Sequence, residues 1–544
     1  MSKNISKEKR EELLREIGEI REYLEKNTDE NAGRLLTYLA NLEKDVDGKK
    51  YGLVFEEHEE AVDVLCRDNV PILKEVAELK IDNGGTQNFL IEGDNLASLK
   101  LLEKTHTGKI DLIYIDPPYN TGNKDFIYDD TFVGKDDKYR HSKWLSFIKK
   151  RLSIAQRLLS GKGVILISID DKEQSNLKIL CDSIFGEQNF LTMFVRKTKS
   201  MTGDDGNGLN IQHEYLLVYA KNKAKAIFKG AQKTFDNYSN PDNDPNGIWT
   251  SADPSAKSGG ESTYFPINNP ITGQVDYPPK GRFWAFSQDT MNKYIESGRI
   301  KFKDQIKKNQ RGFVFKRYAE IMEVTTHPVC TLCFDDNAYM NSVATSEMNE
   351  LIGAGKFSYP KPVCFIKDLV KFASSKYSII LDFFAGSGTT GHAVMKLNTE
   401  DGGYRKFIIC TNNENNICKD IAYERIKRVI EKENYQACLK YMQVDFIPIN
   451  EQLYYEYADK LLLHIKELVE LENGLDFEDN NKVAICLTDE DLLTFANSIN
   501  DGTSFESVYV GHDVLLTAEI EGKLLKANIK INVIPDYYYG ELRG

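Results

Sequence analysis

The chain has 544 residues, 41% hydrophobic and 11% aromatic, with a formal net charge of −13, which is enough apolar material for a large core and, by length, for about three or four domains. No apolar run approaches the roughly 18 residues of a membrane-spanning helix, the start MSKNISKEKREELL is charged with no apolar signal region, and the nine cysteines are dispersed; a helical membrane protein and a disulfide scaffold are excluded, and a cytoplasmic protein with no membrane partner is expected. The acidic excess lies almost wholly beyond residue 438, where 20 Asp and Glu stand against 8 Lys and Arg, so the rest of the chain is near neutral and free to meet a polyanion.

Residues 8–45 carry Leu13, Ile17, Ile20 and Leu24, then Leu35, Leu39 and Leu42, at alternating steps of four and three. The spacing predicts a helical hairpin with a narrow apolar seam, suited to pairing with another helix of this chain or of a second copy. From residue 88 the pattern alternates: NFLIEGD reads as a strand, NLASLKLLEK as a helix capped by Asp94 or Asn95, and IDLIYIDPPYN as the next strand. KWLSFIKKRLSIAQRLLSGKG is a helix with Trp144, Ile148, Leu152, Ala155 and Leu159 on one face, stopped at Gly161 to Gly163. VILISID, FLTMFVRK and EYLLVYAK follow as strands around the helix QSNLKILCDSIFGE. Strands alternating with helices predict an α/β fold with a mostly parallel sheet covered on both faces.

Between about 221 and 350 the regularity lapses into turn-rich sequence such as NPDNDPNG. The basic run SGRIKFKDQIKKNQRGFVFKRY lies within it, and interleaved aromatics make Lys307, Lys308, Arg311, Lys316 and Arg317 candidate phosphate contacts. His327, Cys330 and Cys333 in HPVCTLC lack a second Cys pair, so ordinary burial and no metal is expected. Regular α/β sequence resumes with the helix KPVCFIKDLVKFAS, then SIILDFFAGSGTTGHAVMKL as strand, Gly-rich turn and helix.

Two motifs carry chemistry. In DFFAGSGTTGHAV, Gly386, Gly388 and Gly391 stand at a strand-to-helix turn, where absent side chains let backbone N–H groups approach a ligand; Glu414 follows at the interval at which such folds hold a ribose. Alone, this suits a dinucleotide as well as S-adenosylmethionine. Asp116-Pro117-Pro118-Tyr119 suits an exocyclic amine on a flat ring: the Asp116 carboxylate and the Pro117 carbonyl can accept its two N–H groups, Pro118 stiffens the turn, and Tyr119 offers a stacking face.

Together, IDPPYNTG and the later DFFAGSGTT resemble the amino-methyltransferases of DNA in the arrangement that puts the catalytic half first. With GDNLASL, the PKP run and the helical amino-terminal segment, the chain is most similar to modification subunits of type III restriction systems. The resemblance implies a permuted Rossmann-like sheet, divided as a helical segment 1–80, a catalytic half 81–222, a target-recognition insertion 223–350, a cofactor half 351–437 and an acidic assembly domain 438–544. It also implies transfer of a methyl group from S-adenosylmethionine to N6 of a flipped adenine in double-stranded DNA, with N4 of cytosine, a stand-alone enzyme and an inactive specificity subunit as alternatives. Asp116, Pro117 and Tyr119 would hold the base. Asp382, Phe384, Gly386 and Gly388 would cradle the methionine portion of the cofactor, Asp94 would lie near its adenine, and Lys361 and Asp368 would close the pocket. CTNNENN leaves either Glu414 or a neighbouring Asn for the ribose. A homodimer and a helicase-nuclease partner complete what the resemblance implies.

Overall fold

The computed structural model describes residues 5–540 apart from 27–31, 48–54, 123–126, 129–130, 135, 201–202, 204–207, 231–232, 321–325, 450–453, 478–479 and 501–503. The chain divides into a larger unit, 1–227 with 331–544, and a smaller one, 228–330.

The larger unit is built on one nine-stranded sheet. Its strands are β1 (Asn69–Glu75), β2 (Thr86–Glu92), β3 (Ile110–Ile115), β4 (Leu159–Ile169), β5 (Phe190–Lys197), β6 (His213–Ala220), β7 (Ile379–Asp382), β8 (Lys406–Thr411) and β9 (Ala437–Pro448). They lie in the order β1-β9-β2-β8-β7-β3-β4-β6-β5. Pairing is parallel from β9 through β4 and antiparallel at both edges. The central strands are unbroken apolar runs because both of their faces are covered: Leu112, Ile113, Ile165, Ile167, Ile380 and Leu381 are all fully buried.

The connections fix where the site lies. From β3 the chain leaves through the helix Arg140–Leu158 to β4, and from β7 it leaves through the helix Thr389–Asp401 in the opposite direction to β8. Right-handed crossovers running opposite ways place these helices on opposite faces, so a crevice opens between the carboxyl ends of β3 and β7. Asp116 and the Gly-rich turn stand at those two ends.

Three expectations about the flanks change. Asn69–Glu75 is a strand at the sheet edge rather than part of a helical segment, since NVPILKE buries a continuous run against β9. The boundary expected at 437/438 falls within β9, which pairs with β2 from Ala437 to Gln443. Leu159 opens β4 instead of closing the preceding helix; Gly163 permits this, because a Cβ there would lie 2.7 Å from the Ile110 carbonyl. The helices Ile5–Lys26 and Ala32–Asp47 form the expected hairpin with Ile17 and Leu39 buried, yet Leu13, Ile20, Leu35 and Leu42 stay 41–52% exposed. Beyond β9, Val483–Cys486, Ser507–Gly511 and Lys530–Ile534 form a small parallel sheet, and Tyr509, Ile534, Tyr538 and Tyr539 join the main core.

The smaller unit centres on an antiparallel sheet of Ile300–Phe302, Phe313–Tyr318 and Trp249–Ala252, with a core of Phe265, Trp284, Met291, Phe313 and Phe315. It contains the basic run and corrects part of its reading. Lys316 is buried, donating to Asp242 at 2.7 Å and to Asp244, and Asp244 also accepts from the Tyr318 hydroxyl at 2.7 Å. Burial opposes ionisation of Asp244, but hydrogen bonds from Lys316, Asn246 and Tyr318 hold its carboxyl down at about 2. Lys316 is therefore an internal tie, not a phosphate contact. Arg311 is half-buried, paired with Asp253 at 3.2 Å and lying over the Trp284 ring. Lys307, Lys308 and Arg317 are exposed, and so is Cys330, against the burial expected for it.

Removing one member of a buried ion pair leaves the other charge uncompensated, typically costing about 3–5 kcal/mol. Lys316→Ala should therefore destabilise the smaller unit by that order in denaturant unfolding, whereas Lys307→Ala should leave the midpoint unchanged.

Candidate active site

β3 ends in Ile115, and Asp116-Pro117-Pro118-Tyr119 turns away across the carboxyl edge of the sheet. The two prolines supply no N–H, so the turn needs no acceptors for backbone donors at those positions. The indole Nε1 of buried Trp144 donates to the Pro118 carbonyl at 2.7 Å and anchors the loop from the following helix. Asn120 continues it in a left-handed conformation at φ 55° and donates to buried Glu173 at 2.6 Å, which is also within 2.6 Å of His141 Nδ1. The loop is stiff because both of its flanks are fastened.

On the inner side lies a charged ring. Lys361 Nζ is 2.7 Å from each oxygen of Asp116 and 3.0 Å from the Tyr119 hydroxyl. Tyr119 donates to Asp116 Oδ1 at 2.8 Å, with Glu214 Oε2 at 3.2 Å as its alternative acceptor. Glu214 Oε1 accepts from Arg196 Nε at 2.8 Å and stands 3.7 Å from Lys361 Nζ. Arg196 is itself held by the Tyr339 carbonyl and by Asn341 Oδ1. Two carboxylates and two cations thus balance around a phenol. Burial, together with the charges of Asp116 and Glu214, drives the Tyr119 hydroxyl well above its ordinary range, so it stays a neutral donor. Burial opposes ionisation of Glu214, but the Arg196 and Lys361 charges keep it a carboxylate.

Across the crevice, β7 ends in Asp382, followed by Phe383, Phe384 and the Gly-rich turn. Gly386 and Gly388 have φ of 48° and 74°, and a Cβ on Gly388 would lie 3.2 Å from the Ala422 carbonyl, so the turn demands glycine there. Gly391 serves packing instead: its Cβ would fall 2.7 Å from Ile426 Cδ1. Asp382 is buried and accepts from the Phe384 N–H at 3.0 Å and from the Thr390 hydroxyl at 2.5 Å; burial still pushes its carboxyl up to about 7. Buried Arg425 braces the turn through the hydroxyls of Ser387 and Thr389, at 3.1 and 2.7 Å.

Asp94 caps the helix Asn95–His106 as expected, accepting from Leu96 N–H at 2.7 Å. Its carboxylate is 3.6 Å from buried Arg151, which lies over the Phe147 ring, and Phe147 packs on Phe384 at 5.8 Å. Asn95 donates to the Phe383 carbonyl at 3.1 Å, which joins the cap to the turn after β7. Asp94, Asp382, Phe384, Gly386 and Gly388 are thus linked through this network, as their spacing in the chain could not show.

Three sequence-chosen residues stand elsewhere. Lys361 belongs to the Asp116 ring; Asp368 is the acceptor of the Tyr339 hydroxyl at 2.8 Å; Glu414 is exposed in a short 3₁₀ turn, with Asn415 and Asn416 in left-handed conformations. Glu214, Arg196, Trp144 and Arg425 were missed. Each sits in an unremarkable strand or helix sequence, and only a strand position flanked by apolar residues, as in HEYLLVYA and FLTMFVRK, hinted that a buried charge needed a partner.

The Asp382 carboxyl has a folded value of about 7 against an ordinary 3.8. Its contribution to stability is therefore complete below the lower value and is lost as pH rises through the upper one. Asp382→Asn should raise the melting temperature of the ligand-free protein, and by more at about pH 8 than at about pH 5, in paired thermal melts.

Comparison with known proteins agrees with this geometry. The Mod subunit of the type III restriction-modification enzyme StyLTI from Salmonella typhimurium is 36% identical over 392 residues, covering 64% of this chain and 58% of the relative. The Mod subunit of EcoPI from Escherichia phage P1 is 34% identical over 386 residues, covering 61% and 58%. Type II methyltransferase M.KpnI from Klebsiella pneumoniae is 34% identical over 362 residues, covering 62% and 84%. The chain thus spans less than three-fifths of the length of the two type III relatives. The family model described as DNA methylase matches residues 110–424, more than half of the chain and a span that holds both the Asp116 loop and the Gly-rich turn: the chain belongs to the DNA methylase family.

Proposed function

We propose that this chain transfers a methyl group from S-adenosylmethionine to N6 of an adenine extruded from duplex DNA, as the modification subunit of a type III restriction-modification system. The observation that carries the reading is the placement of Asp116-Pro117-Pro118-Tyr119 and the Gly-rich turn at the carboxyl ends of adjacent strands, on either side of one crevice. An acceptor loop and a backbone cradle so placed can hold an amine and a methyl donor face to face.

The residues on the cofactor side fit the donor. Gly386 and Gly388 form a turn whose left-handed backbone favours glycine and where a Cβ would press on its neighbours at 3.2–3.3 Å, and Asp382 is a buried carboxyl near neutrality that a cationic ligand would ionise. Asp382 and Phe384 would hold the methionine portion, with Asp94 and Glu414 as candidates for the nucleoside. When bound, the cofactor supplies an electrophilic methyl group. On the other side, the amine of adenine is a poor nucleophile because its lone pair is conjugated into the ring. Asp116 and the Pro117 carbonyl would accept its two N–H groups and leave the lone pair directed at the methyl group, while Tyr119 stacks on the base. The excess proton of the methylated amine has the Asp116 carboxylate beside it.

The smaller unit would recognise the target, with exposed Lys307, Lys308 and Arg317 contacting phosphates. The apolar residues left exposed on the amino-terminal hairpin support pairing of two copies, and the acidic carboxyl-terminal segment supports contact with a helicase-nuclease subunit in the cytoplasm.

Incubating unmethylated genomic DNA with labelled donor and mapping the product base tests the reaction. Asp116→Ala should lower transfer by about a hundredfold or more while binding labelled cofactor nearly as well as the parent, since a positioned acceptor acts on the transition state; near-parental turnover would remove Asp116 from the mechanism. Replacing Lys307 and Lys308 by Ala should weaken binding to all sequences alike and reduce the salt slope of affinity by roughly two, which titrations at several salt concentrations measure.

A further inference from the structure

Asp116 is already engaged by the chain's own donors in this structure. Both of its oxygens receive the Lys361 ammonium at 2.7 Å, and Oδ1 also takes the Tyr119 hydroxyl at 2.8 Å. An amine that is to use Asp116 as acceptor competes with an amine that the chain itself supplies. Simple removal of Lys361 would leave an ammonium in a pocket where its side chain is only 10% exposed, at a cost of several kcal/mol for a buried ion without a partner. A second carboxylate stands within reach: Glu214 Oε1 is 3.7 Å from Lys361 Nζ. Glu214 is 5% exposed and is held in place by Arg196. Its Oε2 stands 3.2 Å from the Tyr119 hydroxyl, as that hydroxyl's alternative acceptor.

We infer that Lys361 occupies the amine-accepting position of the empty site and is handed from Asp116 to Glu214 when the target base enters, which makes Lys361 and Glu214 positioning residues for methyl transfer. The exchange conserves charge. Before it, the ammonium is shared by two carboxylates and lies nearer Asp116; after it, the ammonium is paired with Glu214 while a neutral amine donates to Asp116. The Tyr119 hydroxyl, in reach of both carboxylates, can follow by rotating its single hydrogen. The ammonium also competes with other donors for Asp116 until a base is presented, and its departure, with rotation of the Tyr119 hydrogen toward Glu214, frees both carboxylate oxygens. This inference rests on the methyl-transfer reading above.

The test is a double-mutant cycle on the full-length chain, reading single-turnover methyl transfer to unmethylated genomic DNA at saturating DNA and donor, with cofactor binding measured alongside. Glu214→Gln should slow transfer by about tenfold or more when Lys361 is present, and by less than about twofold in a Lys361→Met background, because residues that act as one device are not additive. The loss should appear in kcat rather than in KM or in cofactor affinity. Equal slowing in both backgrounds would overturn the hand-over and leave Glu214 as a structural partner of Arg196. If Glu214→Gln fails to fold, the order of two other variants decides. Lys361→Arg should be slower than Lys361→Met, since a forked guanidinium holds a carboxylate in two places and is harder to displace. Rescue by Arg relative to Met would mark Lys361 as a fixed counter-charge and overturn the proposal. A parent chain that transfers no methyl group to any DNA would instead overturn the methyl-transfer reading, and the hand-over with it.

Discussion

The parallel pairing of Ile379–Asp382 on Ile110–Ile115, in register from Ile380 opposite Leu112, is the constraint on which the rest of the molecule depends. These two strands lie far apart in the chain, and their connections leave in opposite directions. Side by side they form the switch point from which the β3 and β7 crossovers diverge, and they bring the Asp116 loop to within electrostatic reach of Asp382. The Asp116 charge adds to the burial that raises the Asp382 carboxyl, so each half of the crevice is felt by the other. A slip between these strands would shift the Asp116 loop out of line with the Gly-rich turn at their carboxyl ends.

Around that pairing, the buried polar groups are arranged as ties between elements rather than as isolated pairs. Arg151 joins Glu60, Asn95 and Asp94 while lying over Phe147. Arg425 fastens the two hydroxyls of the Gly-rich turn. Lys440 of β9 meets Glu470 at 2.7 Å and Asp476 at 3.2 Å, which docks the carboxyl-terminal helices on the sheet. Such groups are costly to bury singly, but as shared ligands of several segments they allow little choice of arrangement. The site inherits that rigidity, and the ring of Asp116, Tyr119, Lys361, Glu214 and Arg196 is its most polar expression.

The smaller unit follows a different economy. Its core is dominated by aromatic rings, with Trp284 donating to the Phe265 carbonyl at 2.8 Å, and its sheet strands are short. Lys316 shows why a basic run is a poor guide to surface charge. Phe313, Phe315 and Arg317 share one face of the strand and Val314, Lys316 and Tyr318 the other, and what packs over each position decides which cation is buried. Lys316 found two aspartates inside; Arg317, one residue on, faces solvent.

How much was legible follows the same division. The order of strands and helices from residue 86 to 220 and from 363 to 433, a cap at Asp94 or Asn95, the stiff Asp-Pro-Pro-Tyr loop and the glycine turn could all be read in advance, because each is a local matter of periodicity, missing donors or permitted φ. The two motifs together also declared the family, since their chemistry makes sense only jointly. What lay beyond reach were the contacts that join distant segments: Lys361 on Asp116, Glu214 and Arg196 behind Tyr119, Trp144 on the Pro118 carbonyl, and the strand Asn69–Glu75 at the sheet edge. A buried lysine or glutamate has the same letters around it as a solvated one. Its partner is chosen by how the sheet stacks segments hundreds of residues apart, and that choice is made by tertiary packing and by the cost of leaving a buried charge alone.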